Sequence, residues 1–129
     1  MTDSAAAPAP LRVLLVDTDE RVRESLAGLL RIGHRCLVVG SAGSADEALR
    51  LAGAATPDVV VVDPRLPGPD AGAAFIARIR AVAPDARILV LKWSESADDG
   101  SGADFYARKT FRSHELIDAV LSTAGRPVS

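Results

Sequence analysis

Two apolar runs in this chain each end at an aspartate. Residues 11–16 are followed by Asp17, and the valine run of residues 59–62 is followed by Asp63. Short continuous runs of Val and Leu are typical of strands buried on both faces of a parallel sheet, where covering helices leave no polar side. In such sheets, ligands bind beyond the carboxyl ends of the strands. We therefore expect the two carboxylates to meet at one edge of an α/β sheet and form an anionic site.

Strand and helix patterns alternate five times along the chain, which predicts a doubly wound parallel sheet with crossover helices. The second predicted strand ends at Gly40, and the loop after Asp63 carries three prolines within residues 64–69. Three prolines so close together exclude a helix interior. The predicted strands cover residues 11–16, 35–39, 58–62, 86–91 and 104–108.

Helix starts are marked by capping residues. The first helix is predicted from Asp19 to about Leu30, and Ser44 with Glu47 forms a capping box for the second. Ser113 is the predicted cap of the last helix. The apolar face of the third helix is predicted to consist of Phe75, Ile76, Ile79 and Val82, and the arginines of the first helix, Arg21, Arg23 and Arg31, are predicted to be solvated.

Composition excludes several classes of function. The net charge is −2, arginines are scattered and aromatic residues are few, which argues against direct binding of nucleic acid. No apolar run is long enough to span a membrane. Cys36 is the single cysteine, so no internal disulfide forms, as is usual in the reducing cytoplasm. We expect a disordered arm at 1–10, one domain at 11–124 and a tail or linker at 125–129.

The two lysines of the chain fall at or near predicted strand ends. Thirteen arginines are spread over the sequence, whereas Lys92 and Lys109 follow the fourth and fifth strands. Lysine is a compact point charge suited to pairing with a carboxylate or a phosphoryl group. Both lysines are therefore candidates for the site that contains Asp17 and Asp63.

These residues occur in the order of a known family's motifs. The relevant segments are Leu14-Leu15-Val16-Asp17, Pro57-Asp58 through Asp63, Leu66-Pro67-Gly68-Pro69-Asp70, and Gly102-Ala103-Asp104-Phe105-Tyr106-Ala107-Arg108-Lys109. Together they resemble the receiver domain of response regulators, over about residues 11–124. Residues 39–49 are similar to the subfamily that usually carries a helix-turn-helix output domain. The resemblance implies a flavodoxin-like sheet of five parallel strands in the order 2-1-3-4-5.

The resemblance also implies a function and roles for the site residues. Asp63 would accept a phosphoryl group from a histidine kinase, and Lys109 would pair with the phosphoryl oxygens. Asp17, Asp63 and the backbone carbonyl of Arg65 would hold Mg²⁺, an ion that prefers oxygen ligands. Tyr106 matches the aromatic switch residue. The chain would then be a cytoplasmic signalling phosphoacceptor rather than an enzyme, with homodimerisation left open.

Several positions depart from the family's pattern. Thr18 stands where a second acidic metal ligand is usual, so we expect weakened Mg²⁺ binding. Lys92 replaces the usual Ser or Thr, and Trp93 replaces a small residue. The segment between the fourth and fifth strands is short, so the fourth helix of the family is predicted to be shortened or missing.

These departures keep other interpretations open. Lys92 close to Asp63 would be an internal replacement for Mg²⁺, because two carboxylates and two lysines sum to no net charge. The chain would then be a pseudo-receiver, a protein-binding module that works without phosphorylation. A third interpretation, a haloacid-dehalogenase phosphatase, rests on Asp17-Thr18-Asp19 and is weakened by Arg21.

Overall fold

A computed structural model describes residues 9–65, 72–92 and 102–128. Within them the chain forms one five-stranded sheet in the order β2-β1-β3-β4-β5, and every neighbouring pair is parallel. This is the predicted topology. The elements are β1 (Leu11–Val16), α1 (Glu20–Leu30), a 3₁₀ turn (Ile32–His34), β2 (Cys36–Ala42), α2 (Ala45–Ala55), β3 (Val59–Val62), α3 (Ala73–Val82), β4 (Arg87–Lys92), β5 (Phe105–Arg108) and α4 (Ser113–Thr123).

Apolar side chains project from both faces of the sheet, as the continuous apolar runs predict. One face packs against α1 and α4, and the other packs against α2 and α3. Alternation along each strand decides the assignment, so that Val61 lies on the α1/α4 face and Val60 and Val62 on the α2/α3 face. The same alternation determines toward which face each polar side chain points just beyond the end of its strand.

The second strand is longer than predicted. It continues through Gly40 to Ala42, and its pairing with β1 shifts between Val13 and Leu14. A Cβ atom on Gly40 would come within 3.0 Å of a methyl carbon of Leu14. Gly40 therefore marks a close approach inside an irregular strand rather than the strand's end.

The helix starts are confirmed in two of three cases. The Asp19 carboxylate accepts hydrogen bonds at the start of α1, and the Ser44 hydroxyl accepts from the Glu47 amide. Ser113, however, is the first residue of α4 rather than its cap. Thr110 Oγ1 accepts from the Arg112 amide at 3.1 Å instead.

The predicted apolar face of α3 is confirmed at three of its four residues. Phe75, Ile76 and Ile79 are buried, whereas Val82 is 44 % exposed. Val82 is the last residue of α3. The predictions of a shortened fourth helix and of Trp93 fall on residues 93–101, which lie outside the described residues, as does segment 66–71.

Candidate functional site

Asp17 and Asp63 meet where two central strands end. Val16 pairs with Val62, so each aspartate lies one residue beyond a paired position. The ladder continues through both residues, because the Asp63 amide donates to the Val16 carbonyl at 2.9 Å and the Asp17 amide donates to that of Ala42 at 3.0 Å. Both aspartates are buried, at 2 % and 4 % exposure. The sheet therefore fixes two carboxylates side by side, as predicted.

Lys109 lies between the two carboxylates. Its Nζ atom is 2.6 Å from Asp17 Oδ2 and 2.6 Å from Asp63 Oδ2, and its side chain is fully buried. The Lys109 amide donates to the Lys92 carbonyl at 2.6 Å, which fixes the backbone just beyond β5. One buried ammonium thus bridges two buried carboxylates. Such charges are tolerated inside a protein only when they are paired and hydrogen-bonded.

Arg65 approaches Asp63 from the solvent side. Its backbone amide donates to Asp63 Oδ1 at 2.7 Å, Nε lies 3.3 Å from the same oxygen, and Nη2 lies 3.1 Å from Oδ2. The Arg65 side chain is 65 % exposed. The sequence implied a role only for the Arg65 backbone carbonyl, so the guanidinium is a site group that the sequence interpretation missed.

The ionised form of Asp63 is strongly favoured. Burial alone would raise the pKa of its carboxyl group, but hydrogen bonds from Arg65 and Lys109 outweigh burial and lower the pKa to about 2. The same contact with Asp63 raises the pKa of Arg65. Asp63 is therefore a carboxylate at neutral pH.

Asp17 is held by the start of α1. Its Oδ1 atom accepts from the Asp19 amide at 2.9 Å, while Asp19 Oδ1 accepts from the amides of Arg21 and Val22. Asp19 therefore caps the helix, as predicted, and Thr18 is exposed. Of the two aspartates Asp17 and Asp19, only Asp17 directs its carboxylate to Lys109.

Arg23 is a second arginine whose role the sequence did not indicate. It was predicted on a solvated face, but Nη1 donates to the Asp17 carbonyl and Nε donates to Ser41 Oγ at 2.8 Å. Arg23 thereby joins α1 to the ends of β1 and β2. A helical arginine with this reach looks the same in sequence as a solvated one.

Lys92 shares the sheet edge with the carboxylates but lies on the other face. It follows Val90 by two residues and therefore lies on the α2/α3 side, whereas Asp17 and Asp63 are on the α1/α4 side. Its Nζ atom lies 5.4 Å from the ring centre of Tyr106, within cation–π range. The expectation that Lys92 supplies the counter-ion of Asp63 is thus corrected. Those cations are Lys109 and Arg65.

Tyr106 lies on the same face as Lys92. Its hydroxyl oxygen accepts from the Ala103 amide at 3.1 Å, and the side chain packs on the α2/α3 core. The structure therefore brings together Asp17, Asp63, Lys109 and Arg65, and separately brings together Lys92 and Tyr106.

The carboxylates as arranged do not fit a divalent metal. Each of their four oxygens accepts from at least one protein donor: Asp19 and Lys109 for Asp17, and Arg65 and Lys109 for Asp63. Among the described residues, no group of three His, Cys, Asp or Glu side chains is placed to hold a metal ion. Two carboxylates facing an ammonium and a guanidinium already sum to zero charge.

Comparison with known proteins places this geometry in context. The family model for the response regulator receiver domain matches residues 13–121. The transcriptional activator DevR/DosR of Mycobacterium tuberculosis is 38 % identical over 123 residues, which cover 90 % of this chain and 56 % of that protein. The chain spans about half the length of most of the curated relatives it matches.

Solved structures agree with the sequence comparison. The signal receiver domain of a NarL response regulator from Mycobacterium tuberculosis superposes with a TM-score of 0.79 at 29 % identity, over 92 % of this chain and 98 % of that one. A response regulator from Burkholderia pseudomallei, solved with a phosphorylated aspartic acid and a calcium ion, has a TM-score of 0.69 at 34 % identity. The match covers 89 % of this chain and 69 % of that one. Within the part of the chain that the structure describes, no helix is long and apolar enough to cross a membrane.

Proposed function

The chain belongs to the response regulator receiver domain family and is a receiver domain of two-component signalling, and on this premise we propose that Asp63 is its phosphoacceptor. The donor in this proposal is the phosphohistidine of a histidine kinase, and the chain acts in the cytoplasm. An Asp63 oxygen attacks phosphorus while the phosphorus–nitrogen bond to the donor breaks, and the electron pair of that bond returns to the leaving imidazole. The products are an acyl phosphate on Asp63 and a free histidine on the kinase.

The observation that carries the proposal is the buried contact between Asp63 and Lys109. A nucleophilic carboxylate must be ionised, and the pKa of Asp63 lies far below neutral pH. Phosphoryl transfer depends mostly on positioning and on stabilising charge at the phosphoryl oxygens. The Lys109 ammonium, 2.6 Å from Asp63 Oδ2, is placed to follow that charge as it develops. The phosphorylated aspartic acid of the Burkholderia pseudomallei regulator supports the same chemistry.

Asp17 positions Lys109 in this proposal. It is the second carboxylate on the ammonium, so Lys109 keeps a buried partner when Asp63 becomes an acyl phosphate. Receiver domains typically bind Mg²⁺, an ion that offsets charge on a phosphoryl group when it is bound. In this chain the oxygens of Asp17 and Asp63 already have protein donors, so no step is assigned to a metal.

The test is intact-mass measurement after incubation with acetyl phosphate and saturating Mg²⁺. We expect the wild-type chain to gain one phosphoryl group and Asp63→Asn to gain none. Asp85→Asn is the matched control, because Asp85 is an exposed carboxylate between α3 and β4, away from the site. It should be modified like the wild type.

Two results would overturn the assignment. Modification of Asp63→Asn would place the phosphoryl group on another residue. No modification of the wild type, in the presence of saturating Mg²⁺, would favour the pseudo-receiver alternative, in which the neutral carboxylate–cation cluster is a fixed structural feature.

A further inference from the structure

Arg65 is the one cation of the described site that faces solvent. Lys109 approaches the carboxylates from inside the protein and is fully buried, whereas the Arg65 side chain is 65 % exposed. We propose that Arg65 is a built-in counter-ion that covers Asp63 and competes with divalent cations for it. The inference rests on the proposed function only in taking Asp63 as the reacting group.

Charge balance is the first argument. Asp17 and Asp63 carry two negative charges, and Lys109 and Arg65 carry two positive charges. Thr18 adds no charge, and the Asp19 carboxylate accepts from amides at the start of α1 rather than contacting Lys109 or Arg65. A divalent ion entering this cluster would create a site of charge +2. With Arg65 withdrawn, the charge would be only +1.

Ligand geometry is the second argument. Magnesium requires oxygen ligands at about 2.0–2.1 Å in a near-octahedral arrangement. Arg65 presents three donors to Asp63, at 2.7, 3.1 and 3.3 Å, and Lys109 binds Oδ2 from the buried side. A cation arriving from solvent therefore meets the guanidinium at the carboxylate it would bind.

Exposure explains why Arg65 is a competitor rather than a permanent block. An ion pair with one solvent-exposed partner is weak, because water and salt screen it. The exposed Arg65 side chain can move from Asp63 into solvent. Lys109 is fully buried and cannot move away in this manner. Displacement of Arg65 is then a step that precedes access of either a metal ion or a phosphodonor to Asp63.

The experiment is a calorimetric titration of the full chain with Mg²⁺, repeated with Mn²⁺. We expect Arg65→Ala to bind either ion about two- to five-fold more tightly than the wild type, the factor that corresponds to losing an exposed ion pair. Arg65→Lys retains the charge without the planar fork and should fall between them. Asp63→Asn should bind more weakly than Arg65→Ala.

The matched control is Arg21→Ala. Arg21 is an exposed arginine near the start of α1, and its replacement changes the net charge equally without removing a side-chain contact to Asp63. Equal affinities for wild type and Arg65→Ala would overturn the inference, as would an equal gain in Arg21→Ala. The titration needs no phosphodonor, so its result is independent of the mass measurement, and either proposal can fail while the other stands.

Discussion

Lys109 is the residue on which the buried charges depend. Without it, Asp17 and Asp63 would face each other with no cation on their buried side. Removing one partner of a buried ion pair typically costs about 3–5 kcal/mol, because the remaining charge is left desolvated. We therefore expect Lys109→Met to lower the free energy of unfolding by that amount, measured by urea denaturation at pH 7.

The other lysine provides the control for this prediction. Lys92 ends the neighbouring strand and is also buried, but it lies against the Tyr106 ring on the opposite face. We expect Lys92→Met to lower the free energy of unfolding by less than Lys109→Met does, because Lys92 lies on the face opposite Asp17 and Asp63 and does not bridge these two buried carboxylates. Equal losses for the two variants would contradict the assignment of Lys109 as the cation of the cluster.

The protonation of Asp63 makes stability depend on pH in a defined direction. Its pKa falls from an ordinary 3.8 to about 2 in the folded protein. A lowered folded-state pKa gives stability that is present above pH 3.8 and lost as the pH falls toward 2. In metal-free buffer we expect the unfolding free energy of the wild type to drop more steeply over this window than that of Asp63→Asn. Arg65→Ala should show an intermediate slope, and identical slopes in all three proteins would contradict the pKa shift.

The residues of the site differ in how far the sequence could reveal them. Asp17, Asp63 and Lys109 each directly follow a strand of the parallel sheet, so topology alone brings them to one edge. The side of the sheet on which Lys92 lies could not be deduced, because a strand that is apolar throughout gives no contrast between its two faces. The guanidinium of Arg65 depends on the turn after β3, and no periodic pattern indicates its direction.

At the scale of elements, two serines lie near helix starts, but only one of them caps its helix. Ser44 accepts from the Glu47 amide at 3.2 Å, and the Glu47 carboxylate accepts from the Gly43 amide at 3.0 Å. Ser113 is the first residue of α4 and does not occupy the N-cap position. We expect Ser44→Ala to lower stability by about 1 kcal/mol, and Ser113→Ala to change it by less than about 0.5 kcal/mol. Thermal or urea unfolding would measure both, and a larger loss for Ser113→Ala would contradict the observed start of α4.

Element boundaries were harder to predict than the elements themselves. The sequence predicted all five strands and the four α-helices of the described residues, because hydrophobic runs and caps are local signals. The predicted end of β2 at Gly40 is wrong. Gly40 allows the close contact with Leu14, which is a tertiary contact that a local sequence pattern does not indicate. Thr110, and not Ser113, serves the start of α4, because the choice between neighbouring hydroxyls depends on backbone direction.

At the scale of the whole molecule, β3 is the centre of the structure and β5 is an edge. All four residues of β3 are at most 3 % exposed, and the strand pairs with β1 on one side and β4 on the other. Strand β5 pairs with β4 alone, and none of its residues is fully buried. We expect the amides of β3 to exchange with solvent only through global unfolding, and those of β5 through smaller local openings, as measured by native-state hydrogen exchange.

The buried ammonium links this edge strand to the centre. Lys109 directly follows β5 and binds the carboxylates beyond β1 and β3, so opening β5 would pull a buried cation away from both partners. Lys109→Met should therefore lower the opening free energy of β5 relative to that of global unfolding, whereas Lys92→Met should not. If exchange in β5 changed only in proportion to global stability in both variants, the ion cluster would act on the fold as a whole. A selective change would show that the site also holds the edge strand in place, which would make its charge state a means of controlling the β5 surface.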